Sequence, residues 1–186
     1  GGALNTYGSY NTSIGKNTMT RNTTGSYNTS VGYLTLNQNS SGLLNTTVGA
    51  YSLNLNTTGS FNTAFGGSTL YNNTTGNRNV AIGVYSMHNN TWGNDNTAIG
   101  YMSQYYLGGS VCNTSVGNYS LYKNLTGYNS AFGFNSLKEN VNGSSNCSFG
   151  YNSQLNNIDG SYNCSFGNEA LQLNTYGNWN SAFGYY

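Results

Sequence analysis

The chain has 186 residues, of which only 5% are charged and 15% are aromatic. Soluble domains carry charge on roughly a quarter of their residues, so this composition argues against a typical soluble enzyme and against a nucleic-acid-binding protein. The net charge of +1 implies no electrostatic partner. No apolar run approaches the roughly 18 residues that span a bilayer, so we expect no membrane span.

A glycine recurs every 17 residues, with a single step of 16 between Gly117 and Gly133. A fixed period throughout a chain is typical of a solenoid, in which each repeat is one coil stacked on the last. We place the missing residue in the turn near Gly127 and Tyr128, where a deletion does not shift the following strand. The recurring glycines are Gly15, Gly32, Gly49, Gly66, Gly83, Gly100, Gly117, Gly133, Gly150, Gly167 and Gly184.

With this glycine as position 17, the sequence divides into a partial coil and ten further coils. Positions 2–6 and 12–16 are predicted to be two short strands. The Asn-Thr-Thr-Gly run at positions 7–10 matches a type I turn, and the glycine at position 17 supplies the other reversal. The sequence therefore predicts one all-β domain over residues 1–186, a parallel β-solenoid (β-roll) of about eleven 17-residue coils with two short strands per coil. The coils are 1–15, 16–32, 33–49, 50–66, 67–83, 84–100, 101–117, 118–133, 134–150, 151–167 and 168–184.

Two apolar columns are the expected core. Position 4 is mostly Leu or Met, and position 16 is apolar in every coil. Positions 3 and 15 hold only small residues, so we expect these two columns to form a flat face that meets another chain. The residues at position 16 are Ile14, Val31, Val48, Phe65, Ile82, Ile99, Val116, Phe132, Phe149, Phe166 and Phe183.

Two columns of asparagine are expected to link the coils. Position 7 is Asn except at Leu107, and position 13 is always Asn. Stacked asparagines can form ladders because each amide both donates and accepts hydrogen bonds. The predicted ladder at position 13 comprises Asn11, Asn28, Asn45, Asn62, Asn79, Asn96, Asn113, Asn129, Asn146, Asn163 and Asn180.

Many asparagines also lie in N-x-S/T sequons, which accept glycans in secreted eukaryotic proteins. Position 13 remains Asn where Ala replaces the hydroxyl residue, as after Asn62 and Asn79, so the ladder rather than a glycan accounts for that column. The candidate glycosylation sites are the sequons outside the ladders: Asn72, Asn89, Asn118 and Asn142.

The sequence offers no catalytic or metal-binding constellation. His88 is the only histidine, and we expect it to be an exposed filler at the variable position 5. The acidic residues occupy different coils and columns, which disfavours a paired-carboxylate site. We therefore expect no enzyme activity, no metal and no cofactor.

Three pairs of residues coincide in register. Arg78 with Asp95 at position 12, and Lys123 with Glu139 at position 6, are predicted to form ion pairs between consecutive coils. Cys147 and Cys164 share position 14, where they are either small fillers or a disulfide.

Tyrosine is the most abundant aromatic residue, and many tyrosines fall at positions 1, 2 and 12. Such rows can present flat faces to sugars or stack on one another. Position 14 carries a threonine row that suggests ice binding as a further alternative, although Val80 breaks it. This row comprises Thr12, Thr29, Thr46, Thr63, Thr97 and Thr114.

The segments Asn-Thr-Ala-Ile-Gly-Tyr-Met-Ser at 96–103 and Asn-Ser-Ala-Phe-Gly-Phe-Asn-Ser-Leu at 129–137 resemble the head repeats of YadA-type trimeric autotransporter adhesins. They are equally similar to repeats in phage and large-virus tail-fibre proteins. The resemblance implies a parallel β-roll, often trimeric, that serves outside the cell for attachment or as a shaft. The period of 17 is longer than that of the adhesin heads.

We expect a non-enzymatic structural subunit of an extracellular fibre, exposed on a virion or a cell appendage. Tyr185 and Tyr186 occupy positions 1 and 2 while Gly1 occupies position 3, so end-to-end stacking of copies would continue the register. The sequence is therefore expected to be either a segment of a longer chain or a subunit whose copies join end to end, and the small residues at positions 3 and 15 extend this expectation to lateral contact with another copy. The alternative is an adhesin or tail-fibre shaft that binds glycans through its tyrosine rows.

Overall fold

The computed structural model describes residues 6–185, which form one parallel β-solenoid without a helix. Each coil contributes one strand of three residues, and the eleven strands form a single sheet in sequence order. The predicted solenoid is thus confirmed. The strands are β1 (Thr12–Ile14), β2 (Thr29–Val31), β3 (Thr46–Val48), β4 (Thr63–Phe65), β5 (Val80–Ile82), β6 (Thr97–Ile99), β7 (Thr114–Val116), β8 (Ser130–Phe132), β9 (Cys147–Phe149), β10 (Cys164–Phe166) and β11 (Ser181–Phe183).

The strands stack in strict register, because positions 14, 15 and 16 of one coil pair with the same positions of the next. Thr46 pairs with Thr63, for example, and Val48 pairs with Phe65. The shortened coil does not disturb this order, since Thr114 pairs with Ser130 across it. The deletion is therefore absorbed before the strand, as the sequence predicts.

The second predicted strand, at positions 2–6, is replaced by a chain of turns. Positions 2 and 4 adopt left-handed backbone angles, with φ of 61° at Tyr51 and 50° at Leu53. The backbone still bonds along the axis: the Tyr51 N–H donates to the Tyr33 carbonyl at 2.8 Å, and the Leu53 N–H donates to the Thr69 carbonyl at 2.9 Å. The segment therefore links to the coils on both sides without forming an extended strand.

The direction of the side chains in the strands corrects the predicted core. Residues of a strand alternate between its two faces, and here position 15 faces inward while positions 14 and 16 face outward. Ala64 is 1% exposed, whereas Phe65 beside it is 56% exposed. The prediction that position 16 forms a core stripe is wrong, whereas position 4 is buried as predicted, for example at Leu53 and Leu70.

The interior is narrow and partly polar, because small side chains at positions 3 and 15 face each other beside the position 4 column. Ser30 donates a hydrogen bond to the Thr35 hydroxyl at 2.7 Å, and Ser136 donates one to the Ser148 hydroxyl at 2.8 Å. These columns are buried inside the solenoid. The prediction that they meet another chain is therefore wrong; they are small because the coil encloses little volume.

Two further expectations concern the end-to-end junction and a membrane span. The end-to-end junction between Tyr186 and Gly1 lies outside the described residues. Within residues 6–185, no helix is long and apolar enough to cross a membrane.

Candidate functional site

The most extensive polar feature is a pair of buried asparagine ladders that run along the axis. At position 13, the Asn62 Oδ1 accepts the backbone N–H of Asn79 at 3.0 Å and the Asn79 side-chain amide at 3.1 Å. The Asn62 Nδ2 donates to the Gly76 carbonyl at 2.8 Å, which also accepts the position 7 Asn73 at 3.1 Å. The two predicted ladders are therefore confirmed, and they meet at the carbonyl of the position 10 glycine.

Glycine is required at two places in the coil for different reasons. At position 17, Gly49 has φ of 125°, and a Cβ there would lie 2.5 Å from the carbonyl oxygen of Gly66 in the next coil. At position 10, a Cβ on Gly59 would lie 2.3 Å from the Asn56 Oδ1. The first glycine permits the turn, and the second leaves room for the ladders.

The repeat is irregular at the turns of two consecutive coils. Leu107 replaces asparagine at position 7 and is fully buried. In the preceding coil, the Oδ1 of the position 7 residue Asn90 accepts the Gly93 N–H at 3.1 Å. The Trp92 ring lies against Gly109 at the place where a Cβ would stand. Together with the shortened turn of the next coil, this leaves an open groove of about 320 Å³ whose lining includes Trp92, Leu125 and Tyr128.

A stack of aromatic rings runs along one corner at position 5. The rings of Tyr71, His88, Tyr105 and Tyr122 lie nearly parallel, with successive centroid distances of 5.2, 5.3 and 5.5 Å. His88 is half-buried in this stack, and its Nδ1 lies 3.0 Å from the Ser68 carbonyl oxygen. The prediction of an exposed filler is therefore wrong. Four consecutive aromatic residues at position 5 would have indicated the stack in the sequence.

The tyrosine rows are engaged mainly with one another. At position 12, Tyr10 stacks on Tyr27 with a centroid distance of 4.9 Å, and Tyr162 stacks on Trp179 at 4.1 Å. Tyr33 contacts Tyr51 edge to face at 5.3 Å. These contacts cover ring faces that a sugar would otherwise use.

Both predicted ion pairs are present between neighbouring coils. The Arg78 guanidinium binds both carboxylate oxygens of Asp95, at 2.6 and 2.9 Å, and the Lys123 ammonium lies 2.5 Å from the Glu139 carboxylate. The hydrogen bond from Arg78 lowers the pKa of Asp95 below its usual value. The pairs are largely exposed, so they contribute little to stability.

The cysteines of position 14 pair in register but are not bonded to each other. Cys147 and Cys164 face each other on adjacent strands, and both are free thiols. Burial of the Cys147 thiol is the main cause that raises its pKa, and the nearby Cys164 raises it further. The two residues therefore act as small fillers here.

The candidate glycosylation sites differ in how their amides are used. The Asn72 Nδ2 donates to the Asn89 Oδ1, and the Asn142 Nδ2 donates to the Asp159 carboxylate, each at 2.8 Å. Asn118 is exposed and uses its oxygen, which accepts the Tyr101 N–H at 2.9 Å. Glycosylation at all four sites remains a prediction, with Asn118 the site best disposed for it.

The outward side chains of the sheet form a long surface, which we call the outer sheet face and define as positions 14 and 16 of β1–β11. Position 14 is mostly Thr, Ser or Cys, and position 16 is always Ile, Val or Phe. The last four phenylalanines stack in parallel with centroid distances of 4.5, 4.7 and 5.2 Å. The face therefore combines one apolar column with one column of small, uncharged side chains, and it lies outside the core.

Among residues 6–185 no cluster of three or more His, Cys, Asp or Glu side chains is placed to hold a metal ion. The fold and its ladders define the class of protein as a parallel β-solenoid. Comparison with profiles of protein families, with curated proteins and with solved structures gave no significant match.

Proposed function

We propose that the chain is a structural, non-enzymatic subunit of an extracellular fibre, in which the solenoid forms a stiff segment of the shaft. The observation that carries this proposal is the continuity of hydrogen bonding along the axis. The position 13 ladder passes from Asn28 to Asn45, Asn62 and Asn79 with the same contacts at every step. These hydrogen bonds join each coil to the next along the axis of the stack.

The axial links continue through the irregular coils. Across the coil of Leu107, the Thr97 N–H donates to the Asn113 carbonyl at 2.8 Å, and at the shortened coil the Thr114 N–H donates to the Asn129 carbonyl at 2.9 Å. Eleven strands at a spacing of about 4.8 Å give a rod about 50 Å long. Stability in such a stack is a sum of coil and neighbour terms, so axial hydrogen bonds that continue through the irregular coils support a load-bearing shaft.

Three of the four acidic residues contact the neighbouring coil. Asp95 and Glu139 bind Arg78 and Lys123, and Asp159 accepts a hydrogen bond from Asn142. Each of these contacts joins one coil to the next. This supports a structural rather than a catalytic use of the few charged residues.

We also propose that the chain has the same kind of function as YadA-type heads and tail-fibre repeats. This proposal is supported by the parallel β-roll that the resemblance implies and that the chain adopts. On this basis we place the protein outside the cell, on a cell appendage or on a virion.

Glycan binding through the tyrosine rows is the less favoured function, because rings at positions 1, 2 and 12 contact one another. An array of neutral and charged glycans, probed with the intact protein, tests it. Binding above background would favour the adhesin role.

Immunogold electron microscopy tests the structural role. Antibodies against the solenoid should decorate filaments on the intact surface of the cell or particle that makes the protein. Replacing Gly66, at position 17, with alanine should shorten or abolish those filaments, whereas replacing its neighbour Gly67 should not. Antibody label confined to the interior, or filaments unaffected by the Gly66→Ala change, would contradict the proposal.

A further inference from the structure

The outer sheet face carries an apolar column where the fold does not require one. Position 16 is apolar in all eleven strands although it points away from the core, and within the stack Phe65 is 56% exposed while Ile82 and Ile99 are each 37% exposed. Isolated exposed apolar side chains need no explanation, but a contiguous apolar surface of several hundred Å² marks an interaction site. This column runs without interruption along the whole sheet.

We infer that the outer sheet face binds the same face of a second copy of this chain, with the two solenoid axes parallel and related by a two-fold axis along the fibre. The inference goes beyond the proposed structural role, since the rod could serve alone. Two sheets packed in this way lie about 10 Å apart with their side chains interdigitated.

The size of the face is sufficient for a specific dimer. Eleven strands about 4.8 Å apart and one three-residue strand wide give a face about 50 Å by 11 Å, so two copies would bury about 1,100 Å². A biological interface needs about 1,000 Å². Neither column of the face contains a charged residue, so its burial carries no penalty for unpaired charge.

The axial spacing of the face favours a second copy over other partners. Its side chains repeat once per strand along the whole length of the sheet. A partner with any other spacing would drift out of register along the rod, whereas another copy meets every coil in the same way. The projecting phenylalanines of β8–β11 also make the face uneven, which disfavours a flat crystal surface such as ice.

The side chains at positions 14 and 16 have complementary volumes, and this complementarity sets the orientation of the second copy. A two-fold axis along the fibre places position 16 of each coil opposite position 14 of the same coil in the second copy. Four of the five coils with Phe at position 16 have Ser or Cys at position 14, whereas every coil with Ile or Val there has Thr or Val. Large side chains would thus meet small ones. The Phe coils pair Phe65 with Thr63, Phe132 with Ser130, Phe149 with Cys147, Phe166 with Cys164 and Phe183 with Ser181.

Sedimentation equilibrium over a wide range of concentration tests the dimer. We expect twice the mass of the chain for the unmodified protein. The double variant Phe65→Lys with Ile99→Lys should weaken dimerisation at least about a hundredfold, because each lysine would be buried without a partner. Leu173→Lys, an exposed change outside this face, should have no effect. Circular dichroism shows whether each variant keeps its fold.

A cross-link tests the orientation and remains informative if the lysine variants fail to fold. In a Cys112→Ser background, Phe149→Cys would place its thiol opposite Cys147 of the second copy, and a short bis-maleimide, which can span sheets about 10 Å apart where a disulfide cannot, should give a covalently linked dimer. Ile82→Cys, which would face Val80, should give none. A protein that stays monomeric at all concentrations would overturn the inference, and so would a monomer that binds ice. A trimer, or cross-linking by both variants alike, would overturn the two-fold arrangement.

Discussion

The position 13 asparagines from Asn11 to Asn163 each accept the backbone N–H of the next asparagine in the column, and from Asn11 to Asn113 the side-chain amides also bond to one another. The oxygen of Asn62 accepts two N–H groups of the next coil, while its nitrogen donates to Gly76 and to Asn45. An amide is neutral and carries both donors and acceptors. A carboxylate of the same shape would keep the acceptors, lose both donors and add a buried charge.

Replacing Asn62 with aspartate should therefore destabilise the solenoid by at least about 3 kcal/mol, since it buries a charge and removes one donor from each of two buried oxygens. Urea unfolding followed by circular dichroism measures the change. Asn118→Asp is the control, because Asn118 is exposed, and its effect should be small. Equal effects of the two changes would show that the ladder is not a principal source of stability.

Two adjacent glycines offer a second comparison. Gly66 has φ of 135°, and a Cβ there would lie 2.9 Å from the backbone carbon of Gly83, whereas a Cβ on Gly67 would meet no atom closer than 4.0 Å. Gly66→Ala should lower the melting temperature sharply. Gly67→Ala should leave it unchanged or raise it slightly, because alanine restricts the unfolded chain. A similar fall in both variants would contradict the assigned turn geometry.

Three side chains of the described residues, Gln104, Asn135 and Gln154, each leave a buried oxygen without a hydrogen bond. Gln104 occupies position 4, where most coils have Leu or Met, and its Oε1 has no partner. Gln104→Leu should stabilise the protein by about 1 kcal/mol, because it removes that buried acceptor. Chemical denaturation measures the gain, and Leu121→Gln is the reverse change, which should destabilise. A loss of stability in Gln104→Leu would mean that its bonds to Thr97 and Ser115 outweigh the missing one.

At the scale of the strand, the direction of the asparagine column determines which of its neighbours point inward. An asparagine ladder inside the coil places position 13 inward, and the alternation of an extended strand then places position 15 inward and position 16 outward. A core stripe at position 16 was therefore incompatible with the ladder. The apolar character of this column reflects the outer sheet face instead.

The turns at positions 2–6 were harder to predict from the residues. Tyrosine and leucine are disfavoured in left-handed backbone conformations, yet Tyr51 and Leu53 adopt them. The axial hydrogen bonds of these residues are formed only in the assembled stack. The conformational preference of each residue therefore does not predict these turns. By contrast, the period, the ladders and both ion pairs could be predicted, because each follows from residues that recur in register.

The link between coils formed by Arg78 and Asp95 should be visible in a pH titration. Since the folded pKa of Asp95 lies below its usual value, the contribution of the pair is present above the unfolded pKa and is lost as pH falls through the folded one. Nuclear magnetic resonance should show the Asp95 carboxyl titrating at a lower pH than in the Arg78→Gln variant. Identical titration in both proteins would show that the pair does not form in solution.

At the scale of the whole molecule, the same few contacts repeat along a rod. Each coil bonds to its neighbours through the strand, through the turns and through both ladders, and only the coil of Leu107 lacks the position 7 amide. The solenoid therefore has nearly uniform stability along its axis, which is the property that a fibre shaft requires. The outer sheet face would add lateral association to this axial strength.

The central claim is that asparagine side chains hold consecutive coils in a register of 17 residues. The most direct test is a through-hydrogen-bond coupling in nuclear magnetic resonance between the backbone nitrogen of Asn79 and the side-chain carbonyl carbon of Asn62, whose oxygen lies 3.0 Å from that nitrogen. The account predicts this correlation and slow solvent exchange of the Asn79 amide. Coupling to another acceptor, or exchange as fast as at an exposed site, would contradict it.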